Sequence, residues 1–256
     1  VRSIAVAIHK GGVGKTTTAV NLASGLARRG LRTLLVDADA QSNATFWFVD
    51  EPDELEFDLE DIVAKDVPID KVIRPTRIEN LDLLPATLGL ALLDVELVSL
   101  TRREDRVKRA LAAVDDRYDV AVLDLAPSLS IVNLSALVAA TDIIAPVSAK
   151  KLSMAGLGAF LRWTDDFRAE GLITAPLLGI VVTMVDDRTR VSREVIATLR
   201  ASELPVFEAV IPYRIGAEDQ VADRLVAGDI GMNAAIGDAY SVLVDEVIDR
   251  TGVQRG

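Results

Sequence analysis

Along this chain, short runs that are apolar at nearly every position alternate with longer stretches in which apolar residues recur every three or four positions. The continuous runs are IAVAI at 4–8, TLLVD at 33–37, VAVLD at 120–124, DIIAPV at 142–147 and LLGIVVTM at 177–184. Strands that are apolar on both faces belong in a sheet covered on both sides, which is the setting of parallel strands. Between the first two runs, Ala19, Leu22, Ala23, Leu26 and Ala27 fall on one helical stripe, and Arg28, Arg29 and Gly30 follow as a basic last turn and a glycine stop. Further helical patterns cover about 88–114, 130–140, 153–170, 189–201, 217–227 and 234–250. Strand and helix therefore alternate, and the expected fold is α/β, a doubly wound, mostly parallel sheet flanked by helices. No internal repeat or low-complexity linker breaks the pattern. Residues 1–256 are expected to form one domain, with no helix-turn-helix module ahead of Ser3.

Composition changes this picture mainly by exclusion. The chain has no cysteine, which removes disulfides, thiolate metal sites and iron–sulfur clusters, and its single histidine argues against zinc. No apolar run approaches the roughly 18 residues of a membrane span, so a cytoplasmic protein is expected. The formal charge of −11 argues against a generally basic nucleic-acid coat, though not against a local basic patch. Much of the acidic excess lies in DEPDELEFDLED at 50–61, which reads as a solvated loop leading into a helix.

The chemistry is concentrated just after the first strand, in KGGVGKT at 10–16. This fits the phosphate-binding-loop pattern G-x-x-x-x-G-K-[ST] except that Lys10 replaces the first glycine. Gly11, Gly12 and Gly14, with Val13 between them, let backbone N–H groups turn inward around phosphate oxygens, and the helix that follows presents its positive end. Lys15 is placed to reach β and γ phosphates, the Thr16 hydroxyl to bind Mg²⁺, and Thr17 continues the cradle. Carboxylates arrive at the ends of neighbouring strands, Asp37 and Asp39 in LLVDADAQ and Asp124 in VAVLDLAPS. An acid after four apolar residues is the arrangement that holds a Mg²⁺ shell. At the place where a guanine-specific site would carry N-K-x-D stands TMVDD at 183–187, which points to ATP over GTP.

Taken together, KGGVGKTTTAVNLA at 10–23, VDADAQSNAT at 36–45, LLPAT at 83–87, YDVAVLDLAPSLS at 118–130, GIVVTMVDDRT at 179–189 and VFEAVIP at 206–212 resemble the ParA/Soj family of deviant Walker ATPases. The resemblance implies an ATP- and Mg²⁺-dependent homodimer in which Lys10 crosses to the partner's phosphates. It further implies that Asp39 positions the attacking water, that Asp37 lies near the magnesium, that Asp124 is the acid of the metal shell, and that Thr183, Met184 and Pro212 border the adenine. The implied role is nucleoid-associated, with non-specific DNA as the track and a ParB-type partner that stimulates hydrolysis, in plasmid or chromosome segregation. The same engine could position a protein cargo.

Two departures from the family pattern stand out, SAKKLS at 148–153 and YRIGAEDQ after Pro212. Both are expected to bear on partner or DNA surfaces and to leave the ATP site untouched. Candidate phosphate-facing cations for DNA are Lys150, Lys151, Arg188, Arg190, Arg193, Arg200, Arg214 and Arg224, with Arg193 and Arg200 on one helix face and Arg214 beyond the last strand. Acids at Asp186, Asp187, Glu194, Glu218, Asp219 and Asp223 are interspersed among them. A MinD-like membrane ATPase would need a basic amphipathic tail, but DAYSVLVDEVIDRTGVQRG is acidic on its polar face and reads as a packing helix, so no membrane contact is expected. A small-molecule ligase of the same fold is the remaining alternative, and the iron–sulfur relatives are excluded by the absence of cysteine.

Overall fold

Five residues, Arg2–Val6, of which the last three are apolar, form β1, and the chain passes through the glycine loop directly into α1, Lys15–Arg28. The computed structural model describes residues 1–93, 101–128, 130–150, 154–214 and 222–256. The remaining elements are β2 (Thr33–Ala38), α2 (Asn43–Phe46), α3 (Leu59–Lys65), α4 (Ile69–Val72), β3 (Arg74–Pro75), β4 (Leu81–Leu84), α5 (Arg106–Ala112) and β5 (Val120–Leu125). They continue with α6 (Ile131–Ala139), β6 (Asp142–Ser148), α7 (Met154–Ala169), β7 (Leu177–Val185), α8 (Arg190–Arg200), β8 (Val206–Pro212) and α9 (Ala234–Thr251).

The strands form one eight-stranded sheet in the order β3-β4-β2-β5-β1-β6-β7-β8. Every neighbouring pair is parallel except β3 with β4. β1 sits centrally, paired with β5 on one side and β6 on the other. β2–β5 lie on one side of β1 and β6–β8 on the other, so the chain switches sides there, and the crevice at the C-terminal end of β1 is where such sheets place ligands. The apolar-throughout strands are buried on both faces, as their patterning requires. Ile4, Val6, Leu35 and Val122 pack on one side of the sheet, while Ala5, Leu34, Val36 and Leu123 pack on the other.

α1 and α9 cover the first side, and residues of α3, α5, α6, α7 and α8 join the core on the second. A Cβ on Gly25 would stand 2.4 Å from Val244 Cγ2, so the bare backbone at Gly25 is what lets α1 and α9 approach. Tyr240, Leu243, Val244 and Val247 of α9 are buried, so the C-terminal segment packs on the sheet as its pattern indicates. Among the described residues, no helix is long and apolar enough to cross a membrane.

Two helical expectations need correction. A continuous helix over 88–114 does not form, because Arg102 has φ 54°, a left-handed conformation that an α-helix does not accommodate, and the helix begins only at Arg106. The segment 94–100 within it lies outside the described residues. Of the helix expected over 217–227, residues up to 221 lie outside the description, and Arg224 has φ 56° in a turn, so no helix reaches 227. The acidic stretch leads into α3, and part of its charge is structural. Asp58 caps the helix, accepting from Glu60 N at 2.7 Å while its own N–H donates to Asp61 at 3.0 Å.

Candidate functional site

The glycine loop has the backbone that its residue types demand. Gly12 has φ 67° and Gly14 φ 82°, left-handed conformations that favour glycine, and open space surrounds the Cβ position of Gly11 and Gly12. Gly14 is the N-cap of α1, with no side-chain cap and no acid in the first turn, so the helix presents its free N–H groups and positive end to the crevice. The Lys15 ammonium turns back to donate to the Lys10 carbonyl at 3.0 Å. Lys15 is 7 % exposed. Burial pushes its ammonium below the usual lysine value, and Asp124 and then Asp39 pull the other way. At the root of the loop, His9 packs edge-on against Phe160 and Trp163 of α7, with ring centroids 5.1 and 4.5 Å away. Its imidazole is held below the ordinary histidine range by burial first and by Lys15 second, so His9 serves as a neutral packing group that seats the loop on α7.

Of the three strand-end acids, Asp124 and Asp39 lie near Lys15, and the three are not equivalent. Asp37 and Asp124 are register partners on β2 and β5, and both are fully buried. Asp37 accepts from Asp39 N at 3.1 Å with one oxygen, and from Thr45 N and Thr45 Oγ1, each at 2.8 Å, with the other. Even so, burial pushes its carboxyl up to about 6, partly offset by the Thr45 and Asp39 hydrogen bonds. Neither oxygen of Asp124 has a hydrogen-bond partner among the described residues. Burial first, then the charge of Asp37, raises the Asp124 carboxyl well above its usual range, and the Thr16 hydroxyl is close enough to oppose this without reaching hydrogen-bond geometry. Asp39 is 8 % exposed and accepts from Gln41 N at 2.9 Å.

An orphaned, buried carboxylate beside a threonine hydroxyl and a lysine fits a hydrated Mg²⁺ as the missing partner. Among the described residues, no group of three His, Cys, Asp or Glu side chains is arranged to hold a metal on protein atoms alone. Mg²⁺ keeps several waters and shares its shell with substrate phosphates.

Two cavities adjoin at this crevice. One, of about 650 Å³, is lined by Gly11, Gly12, Lys15, Thr16 and Asp39, and the other, of about 230 Å³, by Thr183, Ile211, Pro212 and Tyr213. Gly14, Thr17, Trp47 and Met184 line both, so the phosphate end opens directly onto a more apolar chamber. Thr183, Met184 and Pro212 thus all line this second chamber. The Thr183 hydroxyl, however, donates to the Val13 carbonyl at 2.8 Å, which ties β7 to the loop. Trp47 was not anticipated. It is 4 % exposed, yet it lies in an apolar FWF run that carries no local sign of a ligand wall.

The arginines proposed for DNA scatter. Arg193 and Arg200 share α8, but Arg193 donates to the Asp187 carbonyl at 2.9 Å and Arg200 pairs with Glu208 at 2.8 Å. Arg214 donates to the Tyr213 carbonyl at 3.0 Å, and Arg188 pairs with Asp186 at 2.9 Å. Arg190 lies 3.4 Å from Glu194. Arg224 lines the phosphate-end cavity and pairs with Asp50. Lys151, Glu218 and Asp219 lie outside the described residues.

A glycine loop at the switch point of a parallel sheet, with its lysine ringed by strand-end carboxylates, defines a P-loop NTPase. Residues 1–175 match the family model described as an AAA domain. The chain is 38% identical over 213 residues to the sporulation initiation inhibitor protein Soj of Bacillus subtilis strain 168, covering 83% of this chain and 84% of that protein. It is 37% identical over 251 residues to the chromosome-partitioning ATPase Soj of Thermus thermophilus, covering 98% and 96%. Among solved structures, a cobyrinic acid a,c-diamide synthase from Mycobacterium smegmatis with bound ATP analog and magnesium superposes with a TM-score of 0.86 at 33% identity, covering 98% of this chain and 96% of that one. The chain belongs to the ParA/Soj family of the MinD/ParA superfamily.

Proposed function

We propose that this protein is a partition ATPase, which binds ATP with Mg²⁺ and hydrolyses it to drive segregation of a plasmid or chromosome. The observation that carries the reading is the convergence of Lys15, Asp39 and Asp124 on one crevice, in a chain similar to chromosome-partitioning relatives over nearly its whole length. Phosphoryl transfer to water asks the protein mainly for positioning and charge stabilisation. Lys15 leaves the Lys10 carbonyl for the β and γ phosphates, and the loop N–H groups, with Gly11, Gly12, Val13, Gly14 and Thr17, cradle them. Asp39 orients the attacking water from the wall of the phosphate-end cavity. Magnesium, when bound, would supply neutralisation of the phosphate charge. Thr16 and Asp124 would hold its shell, and Asp37, nearby, fixes the approach of Asp39 and Thr45.

Lys10 begins the loop, half-buried at its rim, and in a face-to-face ATP homodimer it reaches the partner's phosphates. Such a dimer binds DNA without sequence preference in the cytoplasm, at the nucleoid, and a ParB-type protein stimulates turnover. Arg193, Arg200 and Arg214 are the cations assigned to the DNA.

The experiment is binding of the purified chain to random-sequence duplex DNA with ATP, with ADP and without nucleotide, at two salt concentrations, using Asp39→Ala to slow hydrolysis. Binding that needs ATP, persists in Asp39→Ala and fades with salt supports the reading. ATP-dependent dimerisation without DNA binding moves the track to a protein scaffold and the cargo to a protein assembly. A second reading, a small-molecule ligase, is favoured by the name of the M. smegmatis structure. Turnover indifferent to DNA and to a ParB-type protein, together with ATP-dependent amide formation on a carboxylic acid, would favour it.

A further inference from the structure

The described parts of the two segments that depart from the family pattern, 148–150 and 213–214, meet in the structure, while 151–153 and 215–220 lie outside the described residues. Lys150, from the first, and Tyr213, from the second, stand together with the lysine Nζ 3.1 Å from the centre of the tyrosine ring. Both line the 230 Å³ chamber, and neither lines the phosphate-end cavity. The expectation that these departures leave the nucleotide site untouched is therefore corrected. They place a cation and a π face at its base end.

The pair is anchored through the main-chain N–H groups of both residues. Ser148, the last residue of β6, accepts from Lys150 N at 3.2 Å and donates to Met184 Sδ at 3.5 Å. Met184 has φ 55°, a strained left-handed conformation in a residue that is not glycine, and it sits on the wall shared by the two cavities. Tyr213 N donates to the Val185 carbonyl at 2.7 Å, which continues the β7–β8 register past Pro212. Two adjacent strand ends thus bring the ammonium and the ring to one rim. Lys150 is exposed and, among the described residues, has no carboxylate within ion-pair distance, so the ring is the partner that orders it.

The face of an aromatic ring attracts a cation or stacks a planar base, and one face does not hold both. We propose that Lys150 and Tyr213 form a latch on the base chamber, in which a purine base stacks on Tyr213 by displacing the Lys150 ammonium from the ring. This rests on the nucleotide reading above and adds to it the residue that receives the base and the residue that competes for it. Stacking reads a π face and not a hydrogen-bond pattern, so the latch admits either purine.

The two substitutions have opposite expected effects. Lys150→Met keeps the side-chain stem and removes the competitor, which should tighten ATP about threefold. Tyr213→Leu keeps apolar bulk and removes the stacking surface, which should weaken ATP about tenfold. Tyr213→Phe retains the ring and should bind within about twofold of the unmodified chain. Inorganic tripolyphosphate, which has no base, should bind all four proteins alike. The measurement is calorimetric titration of the full chain and the variants with Mg²⁺ and either ATP or tripolyphosphate, with near-UV circular dichroism to verify folding.

Weaker ATP binding by Lys150→Met, or parallel changes with tripolyphosphate, would overturn the latch and make Lys150 a phosphate ligand. ATP binding that is indifferent to both substitutions overturns the latch alone. Absence of ATP binding by the unmodified chain removes the nucleotide reading, and the latch with it.

Discussion

Replacing Asp124 with asparagine should make the ligand-free protein more stable while impairing its use of nucleotide. The side chain is fully buried with both oxygens unpartnered, and it lies in register with a second buried acid, Asp37. Asp37 provides a scale for the site, because its carboxyl is raised from 3.8 to about 6 despite three hydrogen bonds. That rise of roughly two units corresponds to about 3 kcal/mol at ~1.4 kcal/mol per unit. Asp124 lacks those bonds and is pushed the same way by burial and by Asp37, and an unsatisfied buried polar group costs about 1–3 kcal/mol, more when charged. An asparagine amide without partners returns about 1 kcal/mol of it, and the lost attraction to Lys15 returns more, leaving a gain on the order of 1–2 kcal/mol. Thermal unfolding in chelator at pH 8 should show a rise of roughly 2–8 °C.

The sign follows from the raised pKa. A folded-state carboxyl that keeps its proton longer than the unfolded chain contributes stability that is complete below the unfolded value and is lost as pH rises through the folded one. For Asp37 that window runs from 3.8 to about 6. The Asp124→Asn advantage should therefore be largest at pH 8 and shrink toward pH 4. With ATP and Mg²⁺ the order reverses, because only the wild-type chain gains binding stabilisation from the metal. No advantage at pH 8, or an advantage independent of pH, would refute the picture of an orphaned charge.

Gly25→Val would drive a branched side chain into Val244, already 2.4 Å from the Cβ position, and should cost about 1–3 kcal/mol in urea unfolding. Thr183→Val leaves the buried Val13 carbonyl without its donor and should lower both stability, by about 1 kcal/mol, and ATP affinity, whereas Thr183→Ser restores them in the same titrations. Lys15→Gln should abolish ATP-dependent thermal stabilisation, since a neutral amide does not replace the ammonium at the phosphates. Replacing Arg193 and Arg200 together with glutamate should reduce ATP-dependent DNA retention and lower its salt slope. Unchanged retention in a filter-binding assay would move the DNA surface off α8.

What the sequence determined by itself is the local chemistry. Runs such as IAVAI and VAVLD are legible because a strand buried on both faces must be apolar throughout, and they form β1 and β5. The glycine loop is legible because left-handed φ at Gly12 and Gly14 and a helix beginning at Lys15 are requirements met within a few residues. The acids at 37, 39 and 124 are legible as strand ends. Four-residue β4 left too little periodicity to be read.

Only the tertiary structure decided how these pieces work together. Strand order sets Asp37 beside Asp124, and the fold leaves one of them satisfied by Thr45 and the other without a partner. Residues 170 apart in sequence meet where Thr183 holds the loop, and Lys150 meets Tyr213 across two strand ends. Such contacts depend on which strands become neighbours, and neighbours are chosen by the burial of whole faces at once. No window of local sequence carries that choice, which is why Thr183, Met184 and Pro212 came only through the family resemblance, and the meeting of Lys150 with Tyr213 emerged only from the folded chain.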